Sequence, residues 1–131
     1  MTEKQAQAAL ERWRETVLEI ERLKGDLRRL ERLVDKKETP GLSDAQRGRL
    51  QRQAQRQAQR LESALYALMA HERQWGQKVQ ALPPLQASIL TMRYGEGLPW
   101  RKIAERTGYS EKHLFKLRRA ALAALSREEK H

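Results

Sequence analysis

The chain is expected to be all-α: a long antiparallel helical hairpin of coiled-coil character, followed by a small three-helix domain containing a helix-turn-helix. Three observations predict this. Apolar residues recur three and four apart through two long stretches. The four prolines, Pro40, Pro83, Pro84 and Pro99, leave residues 1–39 and 41–82 uninterrupted. The composition is dominated by Ala, Leu, Gln, Arg and Glu, with 34% charged and only 5% aromatic residues, which favours helices with much exposed surface.

In the first stretch Ala6, Ala9, Trp13, Thr16, Ile20, Leu23, Leu27, Leu30 and Val34 form the apolar seam of one amphipathic helix. Its flanks alternate in sign, from Glu11 and Arg12 to Arg22 and Lys24, the pattern of a solvated face laced by i,i+4 pairs. Gly25 costs helix propensity of about 1 kcal/mol, enough to bend or fray the helix without ending it. Asp35 to Leu42, DKKETPGL, collects the breakers and predicts a turn at Pro40-Gly41. Ser43 with Gln46 reads as a capping box that starts the second helix, whose packed side is Leu50, Ala54, Leu61, Ala64, Leu65, Leu68, Trp75, Val79 and Leu82. Two such helices joined by a short turn fold back on each other, with Trp13 and Trp75 meeting away from the turn. Within the second helix QRQAQRQAQR (51–60) places Arg52, Arg56 and Arg60 on successive turns of one face. That ridge suits either a phosphate backbone or plain solvent.

Leu82-Pro83-Pro84 marks the expected boundary between a hairpin domain, 1–82, and a carboxyl-terminal domain, 83–131. Leu85, Ile89, Leu90, Met92 and Tyr94 predict a helix of about ten residues ended by Gly95 and Gly97. Pro99 opens a second, carrying Trp100, Ile103 and Ala104, and Gly108 stops it. Ser110 caps a third, with Leu114, Leu117, Ala121, Leu122 and Leu125 buried. Ala104 supplies the small residue a helix-turn-helix needs where its helices cross, and Gly108, four positions on, the tolerance of positive φ its turn requires. Ile103, Tyr109, Leu114 and Leu117 then occupy the core slots.

The chain carries 27 Lys+Arg against 17 Asp+Glu, a net charge of +10, as expected of a protein that meets phosphates. The excess is uneven. Residues 1–42 hold 10 basic and 9 acidic side chains, residues 43–82 hold 7 and 3, and residues 83–131 hold 10 and 5. The absence of cysteine excludes disulfides, zinc fingers and thiol chemistry. His71, His113 and His131 share no ligand spacing, and the seven glycines form no phosphate-cradling loop. Neither an enzyme, a metal site nor a cofactor is expected. No apolar run is long enough for a membrane span and the start lacks a signal-peptide pattern, so a cytoplasmic location is expected.

The stretch LPPLQASILTMRYGEGLPWRKIAERTGYSEKHLFKLRRAALAAL (82–125) resembles region 4 of the sigma-70 family. Trp100, Ile103 and Ala104, then Tyr109, Ser110, His113, Phe115, Lys116 and Leu117, resemble small phage- and prophage-encoded proteins that join a helical hairpin to such a domain. The resemblance implies double-stranded DNA as partner, RNA polymerase as a second one, and the third helix in the major groove. It makes Glu111, Lys112, His113, Phe115 and Lys116 the base-reading candidates, and Arg101, Lys102, Arg106, Ser110, Arg118 and Arg119 the phosphate contacts. The residue types suit these roles. Lysine donates to guanine O6 and N7, glutamate accepts from cytosine N4, and phenylalanine touches the thymine methyl. Pro99 departs from the usual polar cap, and Phe115 stands where region 4 often has a polar reader. Nothing in residues 1–80 resembles the promoter-melting region, so a complete sigma factor is not expected. Three readings stay open: a phage-type transcriptional regulator that oligomerises, as a homodimer or larger, through the hairpin; a small-terminase-like packaging protein; and a polymerase-binding protein that does not read DNA.

Overall fold

The computed structural model describes residues 1–35 and 40–128. Lys36 to Thr39, in the segment of expected breakers, and His131 lie outside the described residues. All regular structure among the described residues is helical: α1 (Glu3–Leu33), α2 (Asp44–Gln80), α3 (Pro84–Leu90) continued by a π-helical turn (Thr91–Gly95), α4 (Trp100–Thr107) and α5 (Glu111–Glu128). The all-α reading and the helical hairpin followed by a small helical domain are those of the structure.

Local chemistry fixes the helix starts. Ser43 Oγ accepts from the Gln46 N–H at 3.2 Å while Gln46 Oε1 accepts from the Ser43 N–H at 2.9 Å, the reciprocal capping box expected. Thr2 and Gln5 make the same pair of bonds ahead of α1, a box the sequence reading overlooked. Gly25 neither ends nor divides α1. Gly41, at φ 86°, provides the left-handed turn residue after Pro40.

The helices divide into two compact units. One comprises Met1–Val17 and the chain from His71 onward, the other Leu18–Ala70. The core of the first is drawn from every helix but α4: Ala6, Ala9, Leu10 and Trp13 of α1, Trp75 and Val79 of α2, Leu82, Ala87 and Leu90 about α3, Tyr94 of the π turn, and Ala121, Leu122 and Leu125 of α5. A fully buried leucine or valine side chain stabilises by roughly 1.5–3 kcal/mol, and Leu10, Leu90 and Val79 qualify. Thr16 Oγ1 donates to the Arg12 carbonyl at 2.8 Å and lies 3.4 Å from His71 Nδ1, joining α1 to α2 in this unit. Trp13 and Trp75 are thus core residues, as expected, but their core also contains α3 and α5.

In the second unit Ile20 and Leu23 of α1 and Ala54 of α2 are buried, while Leu27, Leu30 and Val34 are half-buried. Ala64, expected on the packed side of α2, is exposed instead. Its single methyl contributes little wherever it lies, so the apolar pattern does not constrain it. Several charges of α1 pair with one another: Arg22 bonds Glu19 and Asp26, Lys24 reaches Glu21 at 3.9 Å, and Arg29 bonds Asp26. The hydrogen bond from Arg22 holds the Glu19 carboxyl below its ordinary pKa. These are exposed pairs that add little to stability.

Candidate nucleic-acid interface

The carboxyl-terminal helices are held by a second small cluster, Ile89, Ile103 and Leu114, all fully buried, with Met92, Leu98, Trp100, Ala104 and Leu117 packed around them. One residue from each of α3, α4 and α5 thus locks the three helices together. The path between α3 and α4 is tightened by the π turn. The Glu96 N–H reaches the Thr91 carbonyl at 2.8 Å, an i→i+5 bond, and the Leu98 N–H reaches Met92 at 2.9 Å.

The turn between α4 and α5 forms as the sequence requires. Gly108 takes φ 80° and ψ 2°, and its N–H bonds the Ala104 carbonyl at 2.9 Å, closing α4 with a left-handed cap. Thr107, polar where an apolar residue is commoner, is used twice. Its hydroxyl donates to Ile103 O at 2.7 Å and accepts from the Tyr109 N–H at 3.3 Å. Ser110 Oγ accepts from the His113 N–H at 3.1 Å, the expected N-cap of α5, a bond worth about 1 kcal/mol.

On α5 the buried side is Leu114, Ala121, Leu122 and Leu125. At 100° per residue the opposite face carries Lys112, Lys116 and Arg119, spaced i, i+4 and i+7 and all exposed. Arg119, expected at phosphates, shares the lysines' stripe. Glu111 and Phe115 lie on one flank and His113 on the other. Phe115 is 40% exposed, and its ring meets Trp100 edge-on, with centroids 5.3 Å apart at 75°. Such a pair contributes about 0.5–1.5 kcal/mol beyond burial, so Phe115 braces α5 on α4. Tyr109, expected in the core, is 38% exposed and lies against His113, with centroids 4.8 Å apart. The left-handed Gly108 and the Ser110 cap turn the backbone there, and the phenol leaves the core.

Arg101, Lys102 and Arg106 are exposed on α4. Arg106 is engaged by Glu96 at 3.0 Å, a contact between well-exposed groups. Arg118 is half-buried, and its Nε donates to Tyr94 Oη at 3.2 Å. It therefore faces the π turn and stands apart from the lysine stripe. Neither Trp100 nor Tyr94 was singled out as a partner of site residues by the sequence, because both contacts are tertiary. Among the described residues no group of three or more His, Asp or Glu could hold a metal ion, and no helix is long and apolar enough to cross a membrane.

Residues 72–125 match the family model for Sigma-70, region 4. No curated protein and no solved structure matches the chain. The region 4 match begins within α2, before Trp75 and Val79, and ends at Leu125, so it takes in α2 residues that share the core with α3 and α5. The Ser110-capped helix and its lysine stripe lie inside the match.

Gly97 ties this region to α1. Its φ is 75°, and a Cβ there would sit 2.2 Å from Arg14 Cζ. The Arg14 guanidinium, which donates to Gly95 O at 3.5 Å, can swing away at small cost, so backbone strain dominates. Gly97→Ala is expected to destabilise by about 1–2 kcal/mol, equally in wild type and in an Arg14→Ala background, as read by urea denaturation. A cost that disappears with Arg14→Ala would show that the clash dominates instead.

Proposed function

We propose that the protein is a DNA-binding transcriptional regulator of phage type, which places α5 in the major groove and is not a complete sigma factor. The observation that carries this reading is the exposed Lys112, Lys116 and Arg119 stripe on a Ser110-capped helix, within the residues that match region 4. A Lys or Arg stripe along one helix face suits guanine O6 and N7 at successive steps of the groove. The positive end of the α5 macrodipole favours a phosphate beside Ser110. Arg101, Lys102 and Arg106 of α4 supply further phosphate contacts, which fix register without reading sequence. Glu111 and His113 flank the stripe as secondary readers. Phe115 and Arg118 act through Trp100 and Tyr94, holding α5 at its angle.

In this reading residues 83–131 meet DNA, and the hairpin of residues 1–82 serves as the arm for self-association, as a homodimer or larger, or for docking on RNA polymerase. The setting is the cytoplasm of a bacterial cell carrying a phage or prophage. Selection of bound duplexes from random DNA tests the proposal and yields the site, and a palindromic site would indicate a two-fold dimer. Lys112→Ala with Lys116→Ala is expected to weaken binding to the selected site at least about 10-fold, since each good base contact discriminates by about 1–3 kcal/mol. Helicity by circular dichroism should be unchanged, because both side chains are exposed. Equal affinity for selected and scrambled duplexes in the wild-type protein would overturn the sequence-reading role of α5.

A further inference from the structure

We propose that the arginine ridge of α2, Arg49, Arg52, Arg56 and Arg60, is a second nucleic-acid contact that grips the sugar-phosphate backbone without reading sequence. It lies within Leu18–Ala70, a different compact unit from α4 and α5, and goes beyond the reading given to α5.

All four arginines are exposed; Arg49, Arg52 and Arg56 fall on the side of α2 away from Leu50, Ala54 and Leu61, and Arg60 stands at the edge of that side, beside Leu61. Between Asp44 and Glu62 the helix has no acidic side chain at all, and the residues between the arginines are mostly glutamine, whose amides add neutral donors. None of the four is in an ion pair among the described residues, the nearest neighbour of note being Gly48, over which Arg52 folds back. The contrast within the same unit is what makes the ridge informative. Of the α1 cations in that unit, Arg22, Lys24 and Arg29 are each matched to a carboxylate three or four residues away, while Arg28 and Arg32 alternate with Glu31 and Asp26 along a mixed-sign face. A helix that needs only solubility has that mixed-sign solution available. The α2 face instead sets Arg52, Arg56 and Arg60 at successive i,i+4 positions, where like charges repel and work against the helix. A polyanion removes that repulsion.

The geometry fits a duplex. At 1.5 Å per residue, Arg49 to Arg60 covers about 16 Å of helix length, and duplex DNA presents a phosphate charge every 1.7 Å or so of its axis. The ridge therefore spans several phosphates, and each cation that meets one releases counterions. The ridge lies outside the residues that match region 4, and its regular repeat of like charges suits the regular repeat of phosphates, so the contact is assigned affinity and not sequence preference.

The test is a salt titration of binding to a duplex of mixed sequence by the full chain, with three variants. In Arg52→Gln/Arg56→Gln/Arg60→Gln the slope of log affinity against log salt should fall by about 2.7, or 0.9 per lost phosphate contact. The wild-type advantage over that variant should then shrink about 40-fold between 50 and 200 mM salt. The corresponding Arg→Lys variant, which keeps the charges, should retain the wild-type slope. Lys112→Ala/Lys116→Ala, assayed alongside on the selected site, reports on α5 separately. An unchanged slope in the Gln variant overturns the ridge proposal, and if the lysine variant still loses its site preference the reading of α5 stands. A ridge that serves an acidic protein surface gives that same unchanged slope. A slope lost equally in the Lys variant would also overturn the proposal, since charge would then not be the cause.

Discussion

Trp13→Ala is expected to destabilise the unit containing the helix-turn-helix by about 3–5 kcal/mol, although Trp13 is far from α4 and α5 in sequence. Its indole is buried, 3% exposed, in the cluster that includes Trp75, Val79, Leu90, Tyr94, Leu122 and Leu125. Truncation to a methyl leaves a cavity among residues that already pack tightly, and the surroundings relax only in part. Domains of this size hold only 5–15 kcal/mol in total, so the variant would stand near its unfolding threshold at ambient temperature. Trp13→Phe, which keeps an aromatic ring, should cost much less. Urea denaturation gives the magnitude, and amide hydrogen exchange its location. Protection should fall in α3 and α5 as well as in α1. If only the first turns of α1 lost protection, the core would not be shared between the amino-terminal helix and the carboxyl-terminal ones. The same argument makes a fragment of residues 83–131 much less stable than the intact chain, because it lacks Trp13, Trp75, Val79 and Leu82.

This sharing shows where sequence reading stopped. The spacing of Trp13, Thr16 and Ile20 marks one face of α1 as buried, because periodicity reports which side of a helix avoids water. It cannot report what covers that side. Leu90 and Leu125 are separated from Trp13 by most of the chain, and nothing local announces the contact. Features made by bonds a few residues long were readable: the Ser43 and Gln46 box, the Gly108 turn, and the Ser110 cap. The π turn at Thr91–Gly95 was not, since its residues suit an α-helix equally well and only the packing of α3 selects the longer bond. Tyr109 illustrates the opposite error. Its place in the helix-turn-helix pattern argues for the core, but the left-handed residue before it and the cap after it set the backbone direction, and that local geometry prevails.

The site residues divide by the same rule. Lys112, Lys116 and Arg119 could be assigned to one face from spacing alone, since a helix of known buried side fixes the direction of its other residues. Phe115 and Arg118 could not, because Trp100 and Tyr94 decide their orientation across helix boundaries. A charged or aromatic residue on a recognition-type helix is thus not a reader by identity. Its partner must be known first.

Leu114→Ala is the second large effect, expected at about 2–5 kcal/mol, and it separates stability from DNA contact on the same helix. Leu114 is completely buried against Ile89 and Ile103, in a cluster where α3, α4 and α5 all meet. Removing its isobutyl group leaves Ile103 without its α5 partner, so α4 loses the contact that sets its crossing with α5. The stripe of Lys112, Lys116 and Arg119 stays on α5, whose capping bond from Ser110 is local and unaffected. Thermal unfolding should therefore drop by roughly 10 °C, with the Trp100 and Phe115 ring contact loosened and Trp100 emission shifted to the red. DNA binding below the new melting point should weaken through misplacement of α4 phosphate contacts while the preferred sequence stays the same. Lys112→Ala/Lys116→Ala should do the reverse, changing sequence preference at constant melting temperature. If Leu114→Ala left the melting temperature in place, this cluster would not hold the helices together, and the assignment of the outward stripe of α5 would lose its structural basis.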